Sequence, residues 1–225
     1  MDYFNNFSDD WFGYFKIKIK VTSLNIFLNK KILIYGLGKT GLSALEFLKN
    51  RAEIFVHDDH LSKFKNLGIK NTISYKNILK LNFDQIILSP GIDINKCKLS
   101  KFLKKNYNKI YSDLDVFYSF YKNDCITITG TNGKSTTCQL MYKVLLNQKY
   151  DVRLVGNIGN PILSVKNFKK KTIFIVEASS YQLEYSKLFK SKYAAILNLS
   201  PDHIERHKTL NKYVNAKFKL LKYQL

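Results

Sequence analysis

From Lys30 onward, short apolar runs recur along the chain, at residues 32–35, 54–56, 86–88, 126–129, 173–176 and 194–197, each three or four residues long and rich in Ile, Val and Leu. Runs of that length and composition predict β-strands. Between several of them the spacing changes to that of a helix, with Leu42, Leu45 and Leu48 in one stretch and Leu140, Met141, Val144 and Leu145 in another. Further helices are predicted over 112–121 and 210–221. Strands alternating with helices imply βαβ units, hence parallel sheets in an α/β fold. Residues 1–29 lack this rhythm apart from an alternation at 16–20 that predicts an exposed strand, and they are left unassigned.

Two glycine loops divide the rest. Gly36-Leu37-Gly38-Lys39-Thr40-Gly41 follows the first strand and opens a helix, and Asp58 stands 22 residues beyond Gly36. This is the GxGxxG pattern in its required context, with a pyrophosphate on the helix N-terminus and Asp58 on a ribose hydroxyl. A dinucleotide or another pyrophosphate ligand such as a UDP-sugar fits equally. Ser89-Pro90-Gly91 ends the third run and falls at the same sheet end. The second loop, Gly130-Thr131-Asn132-Gly133-Lys134-Ser135-Thr136, is a shortened P-loop, because position 128 is Ile where the longer pattern has Gly. Its backbone N–H groups cradle phosphates, Lys134 reaches the β/γ-phosphates, and Ser135 or Thr136 can hold Mg²⁺. One sheet seldom needs two such loops, so the chain reads as an unassigned segment 1–29, a Rossmann-like domain 30–123 and a P-loop domain 124–225. The last is short for a P-loop domain, and the sequence reads as truncated.

Two polar clusters end the later strands. Glu177 closes one, placed either for Mg²⁺ or as a helix-capping acid, and Ala178-Ser179-Ser180-Tyr181-Gln182 follows it. Asn198-Leu199-Ser200-Pro201-Asp202-His203 closes the other, with His203 and His207 one helical turn apart. The acid between them is Glu205, so the HExxH zinc signature is absent. Cys138 and Met141 read as core.

Composition and charge change the picture little. The net charge of +20 invites nucleic acid. Yet only Arg51, Arg153 and Arg206 are Arg among 37 basic residues, the lysines are scattered, and Arg is the residue that reads bases. Lys with abundant Asn, Ile, Phe and Tyr looks like AT-rich coding bias. No apolar run reaches the roughly 18 residues a bilayer requires. The start has no basic segment before an apolar one. Three cysteines without a CxxC pair suit a reducing cytoplasm.

Taken together, GLGKTG at 36–41, SPG at 89–91, GTNGKST at 130–136, GNIG at 156–159, EASSYQLE at 177–184, PDHIERH at 201–207 and Ala216-Lys217 resemble the Mur ligases. EASSYQLE with SPG resembles the branch that adds D-glutamate to UDP-N-acetylmuramoyl-L-alanine. The resemblance implies a cytoplasmic, monomeric enzyme of peptidoglycan synthesis that uses ATP and Mg²⁺ and binds neither nucleic acid nor membrane. The substrate carboxylate takes the γ-phosphoryl group, and the D-glutamate amine attacks the acyl phosphate. By position, 130–136 holds ATP, Ser135 and Glu177 hold one Mg²⁺ and His203 a second, and Lys217 matches a lysine that family members carbamylate near the metal. Lys134, Asn157, Glu177, His203 and Lys217 form the implied catalytic set. Asn157 and Gln182 face the muramoyl-alanine portion, while Gly38, Lys39, Thr40, Asp59, His60 and Ser89 face the UDP. The resemblance also implies a fuller central domain and a third domain for D-glutamate, so the chain as given reads as a fragment that does not turn over. A nicotinamide oxidoreductase would leave the second loop unexplained, and a regulatory or motor ATPase the first. Folylpolyglutamate synthase lacks the first domain. A non-catalytic remnant binding UDP-sugar and ATP differs only in competence.

Overall fold

The structure is a computed structural model that describes residues 25–69 and 71–222. The alternation at 16–20 lies outside them. Two four-stranded sheets follow one another, and every strand pair in them is parallel. The first holds β1 (Lys31–Tyr35), β2 (Glu53–His57), β3 (Gln85–Leu88) and β4 (Ile110–Tyr111) in the order β2-β1-β3-β4, with α1 (Lys39–Leu48), α2 (Tyr75–Ile78) and α3 (Ser100–Lys105) in its connections. After α4 (Asp113–Phe120) come β5 (Cys125–Thr129), α5 (Lys134–Asn147), β6 (Val152–Gly156) and β7 (Ile173–Glu177). The chain continues through α6 (Ser180–Tyr185), β8 (Tyr193–Ile196), α7 (Ile204–His207) and α8 (Leu210–Lys222), with the second sheet ordered β6-β7-β5-β8.

All six predicted strands are present, because residues such as Ile32, Ile34, Ile86, Ile87, Phe174 and Val176 leave water almost entirely. The two halves share one core. Ile32, Ile34, Ala44 and Leu48 of the first sheet's layer join Phe117 of α4 and Val155, Ile162, Leu163 and Phe174 of the second in a continuous cluster. The Phe117 and Phe174 rings stand 4.9 Å apart, edge to face. On the other side of the first sheet, Tyr185 of α6 is buried among Leu33, Tyr35 and Leu88. At roughly 25 cal/mol per Å² of apolar surface, such sharing fixes the two sheets against each other.

The third glycine of the first loop serves packing. A Cβ on Gly41 would sit 1.8 Å from the Gly36 carbonyl oxygen, so only glycine lets α1 start this close to β1. The result is a first helix whose N-terminus opens at the carboxyl end of the strands, beside the end of β3.

Candidate active site

The carboxyl ends of both sheets border one cleft of about 620 Å³. One wall carries Gly36, Gly38, Lys39 and Thr40, then Asp58, Asp59 and His60 after β2, and Ser89 to Asp93 after β3. The other carries Gly156, Asn157, Gly159, Pro161 and Gln182. Every residue assigned above to UDP or to the sugar-peptide portion therefore lines a single space. Two of the lining side chains also brace the first glycine loop. Asp58 accepts from the Leu37 N–H (2.7 Å) and the His60 N–H (2.8 Å), bracing the glycine loop. The Ser89 hydroxyl donates to the Gly36 carbonyl (2.7 Å). Asp59 turns inward, its Oδ1 3.7 Å from His57 Nε2, and His60 is exposed. Cys97, unremarked in the sequence, also lines the cleft.

Gln182 is held from both ends. Its side-chain oxygen completes a capping box with Ser179, and its Nε2 donates to both oxygens of Asp113 at 3.3 Å. Asp113 is buried, and burial lifts its carboxyl to about 6. A carboxyl raised on folding binds its proton more tightly in the native state, so stability falls as pH rises from about 4 through about 6. Urea unfolding should show Asp113→Asn gaining on the parent by about 2–3 kcal/mol between pH 4 and pH 7. An unchanged difference across that range would mean that Asp113 is not the group titrating.

With Ser179 and Gln182 capping α6, Glu177 is released from that duty. Its Oε2 accepts from the Ser135 hydroxyl and its Oε1 from Asn157 Nδ2, both at 2.8 Å. The Asn157 N–H also donates to the Glu177 carbonyl (2.8 Å), and Gly156 pairs with Glu177 in the sheet. Gly156 has φ +108°, and a Cβ there would lie 2.3 Å from that carbonyl oxygen, so glycine is required to bring Asn157 in. Ser135 and Glu177 together offer hard oxygen donors suited to Mg²⁺. Among the described residues no cluster of three or more His, Cys, Asp and Glu side chains forms a metal site.

The second glycine loop caps α5 through Gly133 in a left-handed conformation (φ +80°). Asn198 braces it. Its Oδ1 accepts from the N–H groups of Thr131 (3.1 Å) and Asn132 (2.9 Å), and its Nδ2 donates to the Asn132 carbonyl. The Thr131 hydroxyl bonds Tyr213 (2.8 Å) and Ser200. Thr131 and Asn132 thus shape the loop, while Gly133 to Thr136 form the helix N-terminus that favours an anion. Lys134 donates to the Thr131 carbonyl at 2.6 Å. Lys217, buried, donates to the Gly130 carbonyl (2.8 Å), and burial followed by the charge of Lys134 lowers its amine to about 8.

His203 enters α7 in a left-handed conformation and pairs with Asp202 and Glu205. It stands outside the Ser135–Asn157–Glu177 group. His203 and His207 both pack on the Tyr181 ring, at 4.8 and 5.6 Å, and His207 bonds Ser180. Cys138 is fully buried and Met141 packs on the core, as expected.

Two family descriptions match this architecture half by half: "Mur ligase MurD-like, N-terminal domain" over residues 30–110, and "Mur ligase middle domain" over 128–225. The chain belongs to the Mur ligase family. Among curated relatives of this Mur ligase chain, the UDP-N-acetylmuramoylalanine–D-glutamate ligase of Rickettsia bellii is 38% identical over 203 residues, which span 88% of the chain and 44% of the relative. The same-named ligase of Lachnoclostridium phytofermentans is 36% identical over 88% of the chain and 46% of its own length. The chain thus spans less than half the length of these relatives. A solved ligase from Neisseria meningitides, UDP-N-acetylmuramate:L-alanyl-gamma-D-glutamyl-meso-diaminopimelate ligase, matches 87% of the chain and 68% of its own at 16% identity and a TM-score of 0.53. At that identity the likeness shows the shared Mur ligase fold. No described helix is long and apolar enough to cross a membrane.

Proposed function

We propose that this chain carries the UDP-substrate and ATP sites of a cytoplasmic, monomeric ligase that joins D-glutamate to UDP-N-acetylmuramoyl-L-alanine through an acyl phosphate. Residues 30–123 hold the UDP portion and 124–225 the nucleotide. The observation that carries the reading is Asn157. It lines the cleft that starts at the first glycine loop, and it hydrogen-bonds Glu177, whose other oxygen takes the Ser135 hydroxyl of the second loop. A substrate with its pyrophosphate at Gly38–Thr40 and its carboxyl end at Asn157 lies next to the phosphates of a nucleotide held at 133–136.

A carboxylate is a poor electrophile until phosphorylated, and the transfer must be offset by positive charge. Lys134 supplies one cation to the β/γ-phosphates. Mg²⁺, held by Ser135 and Glu177, supplies further charge neutralisation when bound. In this reading His203 and a carbamylated Lys217 serve a second Mg²⁺. Asn157 and Gln182 orient the muramoyl-alanine arm, with Lys39, Asp59, His60 and Ser89 around the UDP.

Calorimetry tests the reading. UDP-N-acetylmuramoyl-L-alanine should bind saturably and NAD should not. Gly38→Asp should abolish binding without unfolding the chain, since a Cβ at Gly38 meets nothing within 4 Å. Binding of NAD in place of the UDP-sugar would overturn it.

A further inference from the structure

Arg206 sits within the PDHIERH motif, one helical turn after His203, with its N–H on the His203 carbonyl at 3.0 Å. Its side chain reaches the segment after β3 and is buried at 8% exposure. A guanidinium out of water is costly unless its fork is paired. Nη2 donates to the Ile92 carbonyl (2.7 Å), the Tyr185 hydroxyl (2.7 Å) and Glu184 Oε2 (3.3 Å). Nε stands 3.9 Å from Asp93 Oδ1, and the guanidinium covers the Tyr181 ring at 4.9 Å. The Tyr185 hydroxyl in turn donates to the Ile92 carbonyl at 3.3 Å.

These partners belong to both halves. Ile92 and Asp93 form part of the cleft wall after β3. The Ile92 N–H bonds the Ser89 carbonyl, and the Ser89 hydroxyl bonds Gly36 of the first glycine loop. Tyr181 lies against His203 as well as Arg206. One buried cation therefore ties the wall of the cleft to the turn that presents His203. No other described Arg bridges the halves in this way: Arg51 bonds Phe47 of the preceding helix α1, and Arg153 bonds Asp151, Val152 and Asn167.

We propose that Arg206 is a positioning residue that couples the two sites: it sets the 89–93 wall against the His203 turn, so that occupancy of the nucleotide site changes affinity in the cleft. The coupling rests on the proposed function, in which the cleft takes the UDP-substrate and His203 serves the nucleotide's second metal; the tie itself rests on neither. Two variants of the full chain, Arg206→Met and Arg206→Lys, separate these points.

Hydrogen exchange without any ligand reads the tie. In Arg206→Met, peptides covering 89–97 and 203–209 should exchange about tenfold faster, while 126–140 keeps its protection. Calorimetry reads the coupling. In the parent, a non-hydrolysable ATP analogue with Mg²⁺ should shift the dissociation constant of UDP-N-acetylmuramoyl-L-alanine by about fivefold or more. In Arg206→Met that ratio should fall to about one with nucleotide affinity itself within about twofold, and Arg206→Lys should lie between. Unchanged exchange at 89–97, a uniform rise across all peptides, or a coupling ratio that survives in Arg206→Met would each overturn the proposal. A parent chain that binds no UDP-sugar would sink the proposed function, and the coupling with it, while the exchange result still decides whether Arg206 holds the wall.

Discussion

Replacing Asp115 with alanine is expected to cost about 4 kcal/mol of stability, near the upper end for a single substitution. Asp115 is fully buried on α4, and its two oxygens gather six donors. Oδ2 takes the N–H and hydroxyl of Ser112, forming the capping box that starts the helix. Oδ1 takes the Ser186 hydroxyl and the consecutive N–H groups of Lys187, Leu188 and Phe189, at 2.7 to 3.0 Å. That turn leads from α6 into β8. Alanine would orphan its donors together, and each unsatisfied buried donor costs about 1–3 kcal/mol. At ~2–4 °C per kcal/mol for a chain of this size, the melting temperature should drop by ~8–16 °C in calorimetry. Asp115→Asn keeps the shape and one acceptor oxygen, and should recover part of the loss. A drop below about 1 kcal/mol for alanine would mean that packing alone holds the turn.

The second large effect is on ligand rather than fold. Lys134→Ala should weaken ATP at least about 100-fold, roughly 3 kcal/mol, with little change in stability. The amine makes one hydrogen bond, to the Thr131 carbonyl of a partly exposed loop, so its loss costs the folded chain little. The same substitution removes a positive charge that helps hold the Lys217 amine down at about 8. The Lys217 amine should therefore titrate higher in the variant, read by the pH dependence of its chemical modification. Retained nucleotide affinity would place the phosphates elsewhere than the α5 N-terminus.

What the sequence disclosed follows from locality. A strand inside a parallel sheet announces itself as a short run of β-favouring residues, so β1, β2, β3, β5, β7 and β8 are legible to within a residue or two. β6 is not, because Val152-Arg153-Leu154-Val155-Gly156 is a half-exposed outer strand with an arginine in its middle. β4 has only two residues. α6 was missed although Ser179 and Gln182 carry the spacing of a capping box, a signal present in the sequence. In the site, the glycine loops and the strand-end Glu177 stand out in the sequence by their context. Residues that hold those groups from far away do not: Asn198 acts on a loop 66 and 67 positions earlier, Asp115 on a turn 71 to 74 positions later, and Arg206 on Ile92 across 114. Each looks like an ordinary polar residue until the chain is folded. Asp58 belongs with them, since spacing placed it beside the first glycine loop but not the two N–H groups it accepts from there.

The bracing of the second glycine loop also fixes when the site comes into being. The four strands of the first sheet are all made once Tyr111 is added. Residues 129–132, by contrast, take their shape from Asn198, Ser200, Tyr213 and Lys217, the last 87 residues beyond Gly130. At ~5–20 residues per second of synthesis, the loop waits ~4–17 s on the ribosome for those partners. Throughout that interval a nascent chain has all four strands of the first sheet synthesised and an unbraced second glycine loop. The shape of the second glycine loop is thus set only after the strands that frame the first wall of the cleft have been made.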